Sequence, residues 1–297
     1  MDHEVCRVRR IEGVPVSVDE GPTLRRRRLG AELKRCREAA GLTQENVSRQ
    51  FEWHAAKVTR IETARVAVTA RDVKDLLTLY GIADDGYREA LMALARSSRE
   101  KTWLTDYRDL MRPGNFVGLE QEASSMRAWE PILLPGLLQT ENYMRALMLS
   151  GRSFDPPQVI DRRVALRRKR QGRLHAGTGA LRLAAIVDES AVRRVIGGSD
   201  VMNDQLHSLI EAAQLPNVTV QILPFDAGEH PFLGGSAALL EFQETTHPDV
   251  VYLEGLAGDL YEEQPSEVGR YRDEFDRLSA MALDHRLSLK MIEGLLA

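Results

Sequence analysis

The stretch QENVSRQFEWHAAKVTRIE, residues 44–62, decides how the N-terminal part of this chain folds. Two short helical patterns meet there across a tight Phe51-Glu52-Trp53 turn. A helix-turn-helix needs apolar residues where its two helices bury against each other, and a small residue where they cross. Val47, Phe51, Trp53, Val58 and Ile61 fill the buried positions, and Ser48 is the small residue at the crossing. Leu42, just before Thr43, can staple the start of the first of these helices.

The same periodicity extends on both sides. Leu29, Leu33, Cys36 and Ala40 keep one face apolar through RRRRLGAELKRCREAAG from Leu24 onward, and Gly41 is a natural helix stop. Thr43 can cap the helix TQENVSRQ, and a third helix runs from about Ala55 to Glu62. Thr69 with Asp72 resembles a capping box and starts ARDVKDLLTLY, which Gly81 closes. A fifth helix, from about Tyr87 to Lys101, has Leu91, Leu94 and Ala95 on one face. The spacing therefore predicts an all-α, five-helix helix-turn-helix domain over residues 23–101. Residues 1–22 have no periodicity and read as a disordered leader. WLTDYRDLMRPGNFVG, with its aromatics, Pro113 and Gly114, suits a linker over 102–116.

Beyond that point the pattern mixes strands and helices. PILLPGLLQTENYMRALML joins a Pro/Gly-bounded apolar run to a helix, and residues 157–175 form a strongly basic helix. Apolar or β-branched runs at 180–187, 217–225, 236–242 and 249–255 read as strands. The helix DVMNDQLHSLIEAAQ lies between the first two, and the tail from Ser266 is helical again. Residues 117–297 are thus expected to form an α+β (mixed) domain, which makes the chain multidomain.

Length and composition agree with that division. At 297 residues, 43% hydrophobic and 28% charged, the chain suits two globular domains and excludes a disordered, collagen-like or disulfide-scaffold protein. No stretch approaches the ~20 apolar residues needed to span a bilayer, and no secretory signal core is present. With Cys6 and Cys36 as its cysteines, the chain reads as cytoplasmic, with no membrane partner. The formal net charge of −4 conceals an asymmetry. Residues 23–82 hold 13 Lys and Arg against 7 Asp and Glu, whereas the residues after 82 hold 24 against 32. A basic domain joined to an acidic one fits a molecule of which one end meets phosphate.

Around residues 33–44 (L-x-x-x-R-E-A-A-G-L-T-Q) and 57–62 (K-V-T-R-I-E), the chain resembles the phage-repressor type of helix-turn-helix, also called the xenobiotic-response-element family. The resemblance implies double-stranded DNA as partner, with a structural ion pair between Arg37 and Glu62 that sets the recognition helix at its angle. It places Thr43 and Gln44 where a DNA phosphate approaches. His54, Ala55, Ala56, Lys57 and Arg60 fall on the part of the recognition helix that enters the major groove. Two departures stand out. Glu52 occupies the turn position usually held by glycine, so the turn either avoids positive φ or tolerates strain. Alanines at 55 and 56 replace longer polar side chains, and alanine can touch a thymine methyl but donates no hydrogen bond. Arg60 is then expected to carry most base readout, with Lys57 and Thr59 on phosphate or sugar. His54 is equally a reader or a helix cap. Arg25, Arg26, Arg27 and Arg28 form a basic run ahead of the first helix, suited to backbone phosphates as well as to a solvated arm. The run at 162–173 reads as a solvated helix face or a site for an acidic partner.

The second domain shows no G-x-S-x-G, G-x-x-x-x-G-K-[ST], G-x-G-x-x-G or H-E-x-x-H, so an enzyme is not expected, nor a cofactor. His230-Pro231 and His247-Pro248, near Asp226, Glu229 and Asp249, read as turn punctuation rather than a metal site. Trp129 and Tyr143 read as core. VGLEQEA (117–123), EPILLPGLLQTENY (130–143), LPNVTVQILPF (215–225), PDVVYLEGLAGDLY (248–261) and EVGRYRDEFDRL (267–278) resemble actinobacterial, antitoxin-like transcriptional regulators with a large C-terminal domain of poorly defined function. That resemblance implies a homodimer whose large domain receives a signal, and a small partner protein encoded nearby. An alternative is an antitoxin-like protein whose main role is to neutralise that partner.

Overall fold

The computed structural model describes residues 22–54, 56–111, 116–150, 155–243, 248–255 and 258–296. The predicted leader, apart from Pro22, lies outside the described residues, as do Ala55, Cys6 and His247. The chain divides into two compact units, Met1–Thr105 and Asp106–Ala297.

The first unit is helical: α1 (Pro22–Ala39), α2 (Gln44–Gln50), α3 (Ala56–Glu62), α4 (Ala70–Leu79) and α5 (Asp85–Ser97). Local chemistry sets the ends. Gly41 at φ 68° and Gly81 at φ 71° close α1 and α4 in the left-handed region that glycine adopts without a Cβ clash. The Thr43 hydroxyl accepts the Asn46 N–H at 3.1 Å while the Asn46 side-chain Oδ1 accepts the Thr43 N–H at 2.9 Å, so asparagine completes the capping box. The Thr69 hydroxyl accepts the Asp72 N–H and the Asp84 carboxylate the Tyr87 N–H, capping α4 and α5. The core is Leu29, Leu33, Val47, Val58, Ile61, Val73, Leu76, Leu77, Leu91 and Leu94. Each such side chain contributes ~1.5–3 kcal/mol on burial, more than any cap.

The second unit is built on a six-stranded mixed sheet of order β3-β2-β1-β4-β5-β6. The strands are β1 (Ser125–Glu130), β2 (Arg182–Asp188), β3 (Val218–Leu223), β4 (Ala237–Glu241), β5 (Val250–Leu253) and β6 (Leu260–Glu262). The helices are α6 (Phe116–Glu122), α7 (Glu141–Ser150), α8 (Pro157–Gln171), α9 (Glu189–Arg193), α10 (Ser199–Ala212), α11 (Pro265–Met281) and α12 (His285–Leu296). β1, β2 and β3 are parallel, with helical crossovers between them, and β4, β5 and β6 each run antiparallel to the preceding neighbour. One sheet face packs Trp129, Leu239 and Val251 against Phe275 and Leu278 of α11. The open edge of β3 is covered by α12: His285 Nδ1 accepts the Val220 N–H at 3.2 Å and Ser288 Oγ the Ile222 N–H at 2.9 Å.

Two corrections concern this unit. β1, in the middle of the sheet, and β6, at its edge, were not among the predicted strands. SMRAWE is rich in good helix formers, and its place between β2 and β4 overrides that weak preference. β6 is too short to show a period. The predicted linker at 102–116 instead carries 3₁₀ turns over Trp103–Leu110, and α6 begins at Phe116.

Candidate nucleic-acid interface

α3 has two distinct sides. Val58, Ile61 and Glu62 are buried, while Ala56, Thr59 and Arg60 are exposed. What holds the buried side is polar as much as apolar. Arg37 on α1 donates from Nε to Glu62 Oε1 at 2.6 Å and from Nη2 to Oε2 at 3.1 Å. Its Nη1 donates to the Leu42 carbonyl at 2.7 Å, tying the turn before α2 into the same knot. This hydrogen bonding to Glu62 raises the Arg37 guanidinium above its ordinary value, against the opposing effect of burial. Gln44 completes the arrangement: Nε2 donates to Glu62 Oε2 at 2.8 Å, and Oε1 accepts the Thr59 hydroxyl at 2.7 Å. One carboxylate thus joins α1, α2 and α3 through three charge-assisted hydrogen bonds.

Gly30 makes that closeness possible. A Cβ at this position would lie 2.7 Å from the carbonyl oxygens of both Ile61 and Glu62, so only glycine lets α1 cross the end of α3 so tightly. Sequence reasoning missed this residue, although an isolated glycine inside a helical pattern is the signal that could have found it.

Both turns that bracket α3 are closed without glycine. Glu52 stands at φ 54° and Ala64 at φ 57°. Of the two outcomes open at Glu52, the chain takes the strained one, and each such residue costs on the order of 1 kcal/mol. The surrounding packing, including Phe51 stacked on Trp53 at 4.9 Å between ring centroids, holds the conformation.

The sequence-predicted residues are placed as follows. His54 is exposed, and its Nδ1 accepts the Ala56 N–H at 3.3 Å, which makes it a cap on α3. The Lys57 ammonium sits 3.5 Å from the centre of the Trp53 ring and 3.9 Å from Asp72, so it is half-buried and held at two points. Arg60 is exposed, and its Nε donates to the Ala56 carbonyl of its own helix at 3.3 Å. Thr43 is occupied by the capping box, and the Gln44 side chain turns inward to Glu62 rather than out to solvent.

The run Arg25–Arg28 differs from its prediction as a basic arm. It lies inside α1 rather than ahead of it. Arg25 pairs with Glu100 at 2.9 Å, with its side chain 12% exposed, and Arg28 is buried. Arg26 donates to the Ser98 carbonyl at 3.1 Å. The helical period of α1 turns part of the run toward α5, where acceptors lie. The basic run at 162–173 is likewise less solvated than expected. Arg170 donates twice to buried Glu120, both at 2.7 Å, and Arg173 donates to the Ala123 carbonyl at 2.6 Å.

In the second unit Trp129 and Tyr143 are buried. His230 packs edge-on to Trp129 at 4.8 Å and accepts the Phe232 N–H, and burial holds its imidazole pKa below the ordinary value. Asp249 pairs with Arg272 at 2.5 Å. No described helix is long and apolar enough to cross a membrane.

Comparison with known families matches residues 28–91 to a helix-turn-helix domain and residues 114–294 to a domain of unknown function, DUF5753. No curated protein and no solved structure matches the chain. The helix-turn-helix domain points to a DNA-binding regulator rather than an enzyme. With more than half of its length in the second match, the chain belongs to the DUF5753 family and carries a helix-turn-helix domain ahead of that domain.

Proposed function

We propose that this protein is a sequence-specific transcriptional regulator of the phage-repressor type, with α3 as the helix that enters the major groove. The observation that carries the reading is the division of α3. Its inner side is locked by Arg37, Gln44 and Glu62, while Arg60, Thr59 and Ala56 face solvent beside His54. Arg60 reads a base edge, guanine being the natural match for its fork of donors. Ala55 and Ala56 allow close approach to the groove floor, and Thr43, Lys57 and Thr59 lie toward phosphate and sugar. A homodimer would set two such helices about one helical turn apart on a near-palindromic operator.

The α+β domain receives the signal. A second reading, an antitoxin-like protein that chiefly neutralises a small partner protein, is favoured by large apolar side chains left exposed near one end of the sheet: Ile132 just past β1, Phe225 just past β3 and Leu260 at the start of β6. Genome-wide DNA pull-down followed by a gel shift on the best site, with and without the product of an adjacent small gene, tests both. Selective retardation of one site by the protein alone supports the regulator. Indifference to DNA sequence would sink it.

A further inference from the structure

Two glutamines frame a hollow in the second unit. Gln205 of α10, fully buried, donates from Nε2 to the Leu138 carbonyl at 2.8 Å, and its Oε1 accepts the Thr140 N–H at 2.6 Å. From the other side Gln171, the last residue of α8, donates from Nε2 to the Gln139 carbonyl at 2.6 Å. The chain from the 3₁₀ turn Gly136–Leu138 to the start of α7 is therefore fastened to α8 and α10 at once. Between those elements lies a cavity of about 370 Å³, a volume that suits a small organic molecule.

The wall of this cavity has an aliphatic side and a polar side. Leu137, Leu138, Leu174 and Leu215 make the first, and no aromatic ring is among the residues that line it. Such a wall suits a flexible alkyl chain, since it offers no ring face on which a planar ligand could stack. Much of the polar side is already spent. Gln139 donates to the Leu134 carbonyl and accepts from Arg167, and Thr140 Oγ1 accepts the Tyr143 N–H.

What remains is cationic or neutral. The side chains of His175 and Ser208 have no hydrogen-bond partner among the described residues. Arg168, 69% exposed, reaches Glu141 only at 3.5 Å, while Glu141 is already held by Arg145 at 3.0 Å. Elsewhere on α8, Arg162 and Arg170 close on their acids at 2.7 Å and Arg163 at 3.0 Å. Within the basic run, Arg168 is thus the arginine whose acid is distant and shared.

We propose that this cavity binds a small aliphatic carboxylate, its alkyl chain along the leucines and its carboxylate on Arg168, flanked by His175 and Ser208. A guanidinium takes a carboxylate through two parallel hydrogen bonds, which the long contact to Glu141 does not provide. An exposed ion pair contributes little, so the incoming carboxylate displaces Glu141 readily. Where the α+β domain receives a signal, this acid is that signal. That role rests on the regulator reading above, whereas the binding itself needs no DNA.

Calorimetric titration of the full chain with sodium octanoate is the test, with octan-1-ol, n-octylamine and acetate as controls for charge, its sign and the chain. Saturable one-to-one binding of octanoate is expected, at least about tenfold tighter than any control, and the melting temperature should rise with octanoate concentration. Arg168→Gln should lower affinity at least about tenfold. Its unliganded melting temperature should stay at the wild-type value, because the head group is exposed. Ser208→Ala should weaken binding about fivefold by removing one hydroxyl donor. Ala212→Phe should abolish saturation by filling the cavity with a ring. Lack of saturation by octanoate, equal affinity for octan-1-ol, or undiminished binding by Arg168→Gln would overturn the proposal. A gel shift run in parallel separates the two readings. Sequence-selective retardation of DNA without octanoate binding would remove this site and leave the regulator standing, and octanoate binding with sequence-indifferent retardation would do the reverse.

Discussion

Arginines are dense in α1 and α8 and sparse in α3, yet the availability of their head groups runs the other way. In α8, Arg162 pairs with Asp109, Arg163 with Asp155 and Arg170 with Glu120. In α1, Arg25 pairs with Glu100, Arg28 is buried and Arg37 clasps Glu62. On α3 the two basic residues are Lys57, steadied by Trp53 and Asp72, and Arg60, exposed with no acidic partner among the described residues. A count of positive charge therefore does not locate the cation left without an acid. What marks a surface for phosphate and bases is a cation that the fold leaves without an acid of its own.

The largest effects should come from breaking the two buried pairs. Glu62→Ala and Glu120→Ala each strand a buried guanidinium, and each should cost ~3–5 kcal/mol in denaturant unfolding. The comparison requires that Glu62→Ala abolish operator binding through its own unit, while Glu120→Ala, at temperatures where it stays folded, leaves that binding intact. A loss below ~1 kcal/mol in either variant would mean that the pair is solvated. Next in size is Gly30→Ala. Its Cβ would press on two backbone carbonyls that cannot swing aside, so stability should fall by ~1–3 kcal/mol and operator affinity with it. Wild-type stability in this variant would show that α1 and α3 are not locked together.

Arg60→Ala separates reading from folding. It should weaken operator binding by ~1–3 kcal/mol and relax preference at one base position, with the melting temperature unchanged. Arg25→Gln is its counterpart in the denser run. Because the Arg25 head group is already held by Glu100, the salt dependence of DNA binding should keep its slope. Equal losses for Arg60→Ala on random DNA, or a flattened slope for Arg25→Gln, would reverse the comparison. The smallest effect is a gain: Glu52→Gly should relieve the positive φ and raise stability by ~0.5–1 kcal/mol, as read from the unfolding midpoint.

The five helices of the first unit were legible because most carry their own punctuation, α3 being the exception. Gly41 and Gly81 stop helices, Thr43 and Thr69 start them, and the apolar period runs unbroken between. β1 was not legible. Met126, Ala128 and Trp129 become strand residues by pairing with partners more than fifty and a hundred positions away in the chain. In the candidate interface, the sequence reading had Arg60 on the exposed side of α3 and Glu62 paired with Arg37, as they stand in the structure, but it gave no sign that Gln44 turns inward. A glutamine at a helix start looks free to meet phosphate until Glu62 and Thr59 are seen to occupy both ends of its amide.

Local and periodic properties were therefore set by the chain alone: where helices begin and end, which faces are apolar, and that a compact basic segment precedes an acidic α+β one. Tertiary structure decided which charges are consumed. An arginine's availability depends on whether an acid from a distant segment arrives within hydrogen-bond reach, and that acid's position is settled only by packing. Electrostatic strength in a folded chain follows distance and desolvation, and neither is written in residue order.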